Sequence, residues 1–193
     1  HSVKPLQSFF ARHGLELFDI QRIESKGGSL RGFVQLAGGP RKVEPMVAEL
    51  VGMEEKLGLD QPALFAGFSD RIERAREALI ELLETHRDAG RRVVGFGASA
   101  TVTTLMHHFE LGPYLECLVD DNQSRHGLVS PGYGLMVRSP ELLQREVPDC
   151  TVILAWQYAR PILKNHAGYL DKGGQFVVPL PELTTHRGNP PTA

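Results

Sequence analysis

Cysteine is scarce in this 193-residue chain: Cys117 and Cys150 stand far apart, and no C-x-x-C pair occurs. That excludes a disulfide framework and a thiolate zinc site, and it makes a reducing, cytoplasmic setting the expectation. Long apolar runs are missing, so no membrane-spanning helix is expected. No secretory leader is expected. Neither sign of charge dominates: 21 Lys and Arg face 23 Asp and Glu, a formal net charge of −2. A nucleic-acid binder normally carries a basic face, so no nucleic-acid partner is expected. The histidines are scattered, and the adjacent pair His107 and His108 falls on different faces of a helix rather than at metal-binding i, i+4 spacing, so no metal site is expected. No serine sits in a G-x-S-x-G turn. Carboxylate pairs at usable spacing are also lacking, and no catalytic residue is assigned. What remains is the composition of an ordinary globule, 41% hydrophobic and 23% charged, which argues against disorder. The length suits one domain, or one domain with an appendage. His1 follows no start methionine and reads as a cut end or a tag remnant, so a longer parent protein is expected.

The chain changes character along its length. Leu6, Phe9 and Phe10 recur at helical spacing before Gly14, a helix stop. Residues 15–23 and 30–36 read as two strands joined by a glycine turn at Lys26-Gly27-Gly28-Ser29. A helix and one hairpin are too little to fold alone. After the break at Gly38-Gly39-Pro40, residues 46–57 read as a helix. A long amphipathic helix over 62–89 follows, with Leu64, Phe68, Ile72, Leu79 and Leu83 on its apolar stripe. From residue 91 short apolar strands alternate with helices, the last strand at 175–178. Strands apolar on both faces, with helices between them, imply a parallel sheet with right-handed crossovers. The expected fold class is therefore α/β: a Rossmann-like, mostly parallel sheet with flanking helices, preceded by a helix plus β-hairpin remnant. Residues 184–193 read as a disordered tail.

The sharpest local pattern is Gly95-Phe96-Gly97-Ala98-Ser99-Ala100, a G-x-G-x-x-A turn between a strand and a helix. The first glycine suits a tight turn, the second a close backbone approach to phosphate or sugar, and the helix N-terminus an anion. Gly95, Gly97, Ala98 and Ser99 are expected as backbone donors. Asp120 ends the next strand, where such folds place a ribose-binding acid. Asp120 and Asn122 are read as ribose or base partners. Trp156 and Gln157, after the strand at 151–155, are read as a pocket wall, Trp156 alternatively as a plug on the sheet. Arg125 and His126 offer a phosphate pair.

Taken together and in order, Gly27-Gly28-Ser29-Leu30-Arg31, the 95–100 turn with Thr104-Leu105, Val119-Asp120 with Asn122 and Gly127, Pro131-Gly132, Leu154-Ala155-Trp156, Gly173-Gly174-Gln175-Phe176 and Val178-Pro179-Leu180-Pro181 resemble the C-terminal part of the sugar C-methyltransferase family. The resemblance implies a small-molecule acceptor, a nucleotide-linked ketosugar. It adds Thr104, Gly127, Pro131 and Gly132 to the substrate-binding set. It implies that residues 1–37 end a methyl-donor domain and that 43–183 form the substrate-binding Rossmann-like domain. S-adenosylmethionine would be used by the intact enzyme, with no cofactor in this chain. The N-terminal methyl-donor domain, with its zinc cysteines and catalytic base, would lie outside it, leaving this chain inactive alone. In the intact enzyme a base would remove a proton beside a carbonyl, and the enolate would take the methyl group. Departures occur at Thr101, often Lys in the family, at Gln157, often Asn, and at Lys26, usually His. Two rivals remain on the residues alone: an NAD-type dinucleotide-binding module of an oxidoreductase, and a non-catalytic interaction domain assembled through helix 62–89.

Overall fold

A computed structural model describes residues 1–188. The chain divides into two compact units, His1–Ser69 and the residues from Asp70 onward. The boundary falls inside a helix.

The first unit holds α1 (Val3–Arg12), the antiparallel hairpin β1 (Leu15–Ile23) and β2 (Ser29–Leu36), and α2 (Pro45–Leu57). Gly14, at φ +69°, takes the left-handed turn that ends α1. The Glu54 carboxylate accepts the backbone N–H groups of Val3 and Lys4, placing negative charge where the helix dipole is positive. Val3, Leu17, Ile20, Val47 and Leu50 form the core. Val47 and Leu50 belong to α2, so this unit runs beyond the expected break near residues 38–42. The reason is burial: the apolar stripe of α2 covers the face of β1 that carries Leu17 and Ile20.

The second unit begins within α3 (Pro62–Asp88) and contains a six-stranded sheet. Its strands are β3 (Val93–Phe96), β4 (Leu118–Val119), β5 (Val137–Arg138), β6 (Cys150–Ile153), β7 (Gln175–Val178) and β8 (Thr184–Arg187). Their order across the sheet is β5-β4-β3-β6-β7-β8, with all neighbours parallel except β7 and β8. The fold is thus α/β and mostly parallel. Every residue of β3, β6 and β7 is buried, which is why these strands read as unbroken apolar runs. Leu79 and Leu83 of α3 with Val102, Met106 and Phe109 pack against one face. Leu143, Ile162, Tyr169 and Phe176 pack on the other, around Val94 and Phe96. These come from α4 (Ala100–His108), α5 (Glu141–Arg145), α6 (Ala159–Asn165) and α7 (Ala167–Asp171), besides the strands and adjoining turns.

From the central β3 the chain steps outward to β4 and β5, then returns to β6 on the other side. The order reverses between β3 and β6, and ligands in such sheets lie beyond the carboxyl ends near that reversal. The opposite edge is braced by charge: Arg92 donates two hydrogen bonds of 2.8 Å to Glu116 and one of 2.7 Å to Glu146, which also binds Arg138. These contacts hold the Glu116 and Glu146 carboxyls below their ordinary range.

Two expectations are corrected. Thr184–Arg187 is strand β8, not disordered tail: Val177 pairs with Thr185, and Arg187 Nε donates to Gln175 Oε1 at 3.0 Å. A polar edge strand with one wet side shows little apolar alternation, so its sequence does not announce it. The remaining tail, residues 189–193, lies outside the described residues. The helix expected over 161–170 is broken at His166 into α6 and α7.

Candidate functional site

The corner beyond β3 and β4 brings together several residues that the sequence singled out. Most of their polar groups are engaged within the chain. The Gly95 amide donates to Cys117 O and the Gly97 amide to Val119 O. A Cβ on Gly95 would lie 2.6 Å from Leu154 Cδ1 and 2.7 Å from Leu118 Cδ2. Gly97 sits at φ +113°, and a Cβ there would lie 2.8 Å from Ala155 Cβ. Gly97 is therefore required by backbone conformation and packing, and Gly95 is favoured by packing alone, whatever approaches from outside. Ala98 N–H donates to Asp120 Oδ2 at 2.7 Å. The expected run of backbone donors narrows to Ser99 and the first turn of α4.

Asp120 is 6% exposed. Besides the Ala98 amide it accepts Asn122 N–H at 2.8 Å and Arg125 Nη1 at 2.8 Å. His126 Nε2 lies 2.7 Å from the Asp120 carbonyl oxygen. With three donors on its carboxylate, Asp120 ties the 97–99 turn to the 122–126 turn. Asn122 is likewise turned inward: its side-chain oxygen accepts Ser124 N–H and Ser124 Oγ–H, capping a single helical turn at Gln123–Arg125.

Ser99 is the N-cap of α4 in extended conformation, yet its hydroxyl pairs with Thr101 Oγ1 at 2.9 Å and not with a helix amide. No acid lies in the first turn of α4. The first-turn N–H groups, which have no partner within a helix, thus carry no side-chain cap at the positive end of the dipole. Thr104 is exposed, its hydroxyl 3.5 Å from Ala100 O.

Residues 127–134 form a strap across this corner. Gly127 N–H donates to Val137 O, and Val129 bridges Met136. Gly127 and Gly132 take positive φ, +79° and +81°. The His107 ring packs on Gly132, stacks on Tyr133 at 4.7 Å, and lies 3.4 Å from Pro131 O. Between strap, sheet and α4 is a cavity of about 80 Å³, with Ala98, Val102, Met106, Leu118, Arg125 and Pro131 among its walls. Trp156 and Gln157 follow β6, on the far side of β3, and do not line it. Trp156 is half-buried against both core clusters, as a plug on the sheet would be, and Gln157 is exposed.

One pairing escaped the sequence reading. Asp121 Oδ1 lies 3.0 Å from His166 Nε2, and the mostly buried His166 ring packs against Phe96 at 5.0 Å. No local spacing announces a contact across so much chain. The adjacent Asp120 and Asp121 therefore hold different loops of the same edge. The thiols are ill suited to nucleophilic chemistry: burial pushes Cys150 up to about 12 and raises Cys117. No cluster of His, Cys, Asp or Glu among the described residues could hold a metal ion, and no described helix is long and apolar enough to cross a membrane. A larger cleft, about 280 Å³, lies in the first unit between α1 and α2. Its charges are already engaged: Lys4 pairs with Glu55 and Asp60, and Glu54 accepts the Val3 and Lys4 backbone N–H groups.

Residues 24–181 match the model of the C-methyltransferase C-terminal domain family. The chain is 33% identical over 182 residues to "C-methyltransferase NovU" of Streptomyces niveus, an alignment covering 94% of this chain and 43% of that protein. The chain thus spans less than half the length of this curated relative. With most of the chain matched, it belongs to the C-methyltransferase C-terminal domain family.

Proposed function

We propose that this chain is the acceptor-holding part of a longer C-methyltransferase, and that its acceptor is a nucleotide-linked sugar or a similar small molecule. The observation that carries this reading is the carboxyl-edge corner, where the uncapped first turn of α4 stands beside a preformed cavity in a chain of this family. Ser99 and the α4 amides would receive phosphate oxygens, and the strap would hold the rest of the nucleotide. Thr104, Trp156 and Gln157 would act at the rim, since they lie outside the cavity.

S-adenosylmethionine would supply the methyl group in the intact enzyme. Donor site and base are assigned to the rest of a longer protein, since this chain covers 43% of its relative's length. Supporting this, β2 leaves Leu30, Val34 and Leu36 exposed on one face, Leu36 at 74%, as a strand awaiting cover would. The two free thiols accord with a cytoplasmic setting.

The test is transfer of labelled methyl from S-adenosylmethionine to nucleotide-linked ketosugars. Transfer is expected with a protein of the relative's length, and none with the 193-residue chain. Methyl transfer by this chain alone contradicts the assignment.

A further inference from the structure

We propose that α3 is a hinge, bending at residues 67–69 so that the two units of the chain move as separate bodies. The inference goes beyond the acceptor reading and does not depend on it. The distribution of packing makes the first argument. α3 runs unbroken over 27 residues, Pro62–Asp88, through the unit boundary after Ser69. Its buried residues, Leu79, Leu83 and His86, all lie beyond Ala78. The core of the second unit takes up α3 from Ile72 onward, and the core of the first is built from α1, β1 and α2. Between them Phe65, Ala66, Phe68 and Ser69 are exposed, the two phenylalanines at 55% and 53%. Most helical stability in proteins comes from packing an apolar face, and isolated helices shorter than about 12–15 residues are marginal in water. The turns around residues 65–71 therefore rest chiefly on their own backbone hydrogen bonds.

Local composition makes the second. Gly67 is a glycine in a helix interior, where only proline forms helix less readily, and Ser69 competes for backbone hydrogen bonds. Sharp bends in helices occur at such Gly and Ser neighbours. Further on, Ala75, Arg76, Glu77, Ala78 and Leu79 are strong helix formers. The weakest stretch of the helix thus coincides with the boundary between the units.

Anchorage makes the third. Beyond the bend, Arg76 pairs with Glu73 at 2.7 Å and with Glu110, just after α4, at 3.0 Å, which ties α3 to the second unit. Each unit is stiffened by its own core, so a bend confined to one helical turn displaces a whole unit. Hinges in enzymes are short segments of this kind, often of small residues, and they serve to close over a substrate and release it.

Distances between nitroxide labels, measured by pulsed electron paramagnetic resonance, test this. The labels go on Ser8→Cys in the first unit, Arg74→Cys on α3 past the bend, and Glu141→Cys on α5, all exposed positions, while the native thiols are buried. The distance distribution between positions 8 and 141 is expected to be broader than that between 74 and 141. Gly67→Ala with Ser69→Ala should narrow it to the width of the 74–141 pair. Gly52→Ala, at a glycine of α2 with open space around it, should leave it broad. Amide exchange at residues 66–71 is expected to outpace that at 80–86, and Gly67→Ala should slow it about fivefold. Equal widths for the two pairs, a broad distribution that survives the double substitution, or equal protection along α3 would each overturn the hinge. Failure of the chain to bind a nucleoside diphosphate-sugar would count against the acceptor reading alone, so the two fail separately.

Discussion

At the scale of single residues, Asp120 is the bracket of the carboxyl edge. Replacing it with Asn removes the charge that pairs with Arg125 and weakens the bond from the Ala98 amide. Hydrogen bonds to charged groups contribute about 1.5–3 kcal/mol each, and Arg125 is 36% exposed, so about 2 kcal/mol in total is expected from Asp120→Asn. Urea denaturation would measure it, together with faster hydrogen exchange at Ala98; an unchanged midpoint would contradict the bracket. Gly97→Ala should destabilise more than Gly95→Ala, since Gly97 combines positive φ with contact against a Cβ, while the groups facing Gly95 are leucine ends that can shift. Overpacking alone costs about 1–3 kcal/mol. The sequence marked both glycines as special but suggested ligand approach. Their packing partners, Leu154, Leu118 and Ala155, are contributed by other strands and the turns after them, and only tertiary structure brings them there.

His86 carries a pH prediction. It is 2% exposed on α3, its Nδ1 has no hydrogen-bond partner, and burial, then the nearby Arg91, pulls its pKa below the ordinary value. The native state therefore binds fewer protons than the unfolded state. Stability is retained above the unfolded value, about 6.5, and falls as pH drops below it until the native group also titrates. The melting temperature should decline between pH 7.5 and 5.5, and His86→Leu should flatten that decline. A variant with an identical pH profile would rule His86 out as the cause.

At the scale of elements, the sequence disclosed what periodicity can disclose. The buried strands β3, β6 and β7 and the long α3 were legible because each carries a strong apolar pattern. The two-residue strands β4 and β5 were read longer or as mere apolar stretches, because a strand so short has no periodicity that sets it apart from the apolar residues beside it. The assignment of α2 to the first unit was hidden, since an amphipathic stripe names no partner. Strand β8 was hidden because its four residues are polar and its order comes from the β7 edge. Ending the chain after residue 183 removes that strand and should cost about 2 kcal/mol, at about 1 kcal/mol for each net hydrogen bond lost, less fraying. Thermal unfolding of the shortened chain measures this, and an unaltered melting temperature would make β8 energetically idle.

At the scale of the whole molecule, the chain is a member of its family that covers 43% of its relative's length. The motif order made the family legible, but the inward use of Asp120 and Asn122 was not, because a sequence does not say whether a carboxylate faces a guest or its own backbone. The account's central claim is that the corner beyond β3 and β4 receives a nucleotide-linked acceptor. Hydrogen–deuterium exchange of this chain, with and without a saturating nucleoside diphosphate-sugar, tests it most directly. The account predicts slowed exchange confined to residues 99–103 and 124–134. Protection located in the first unit or after β6, or none at all, would contradict it.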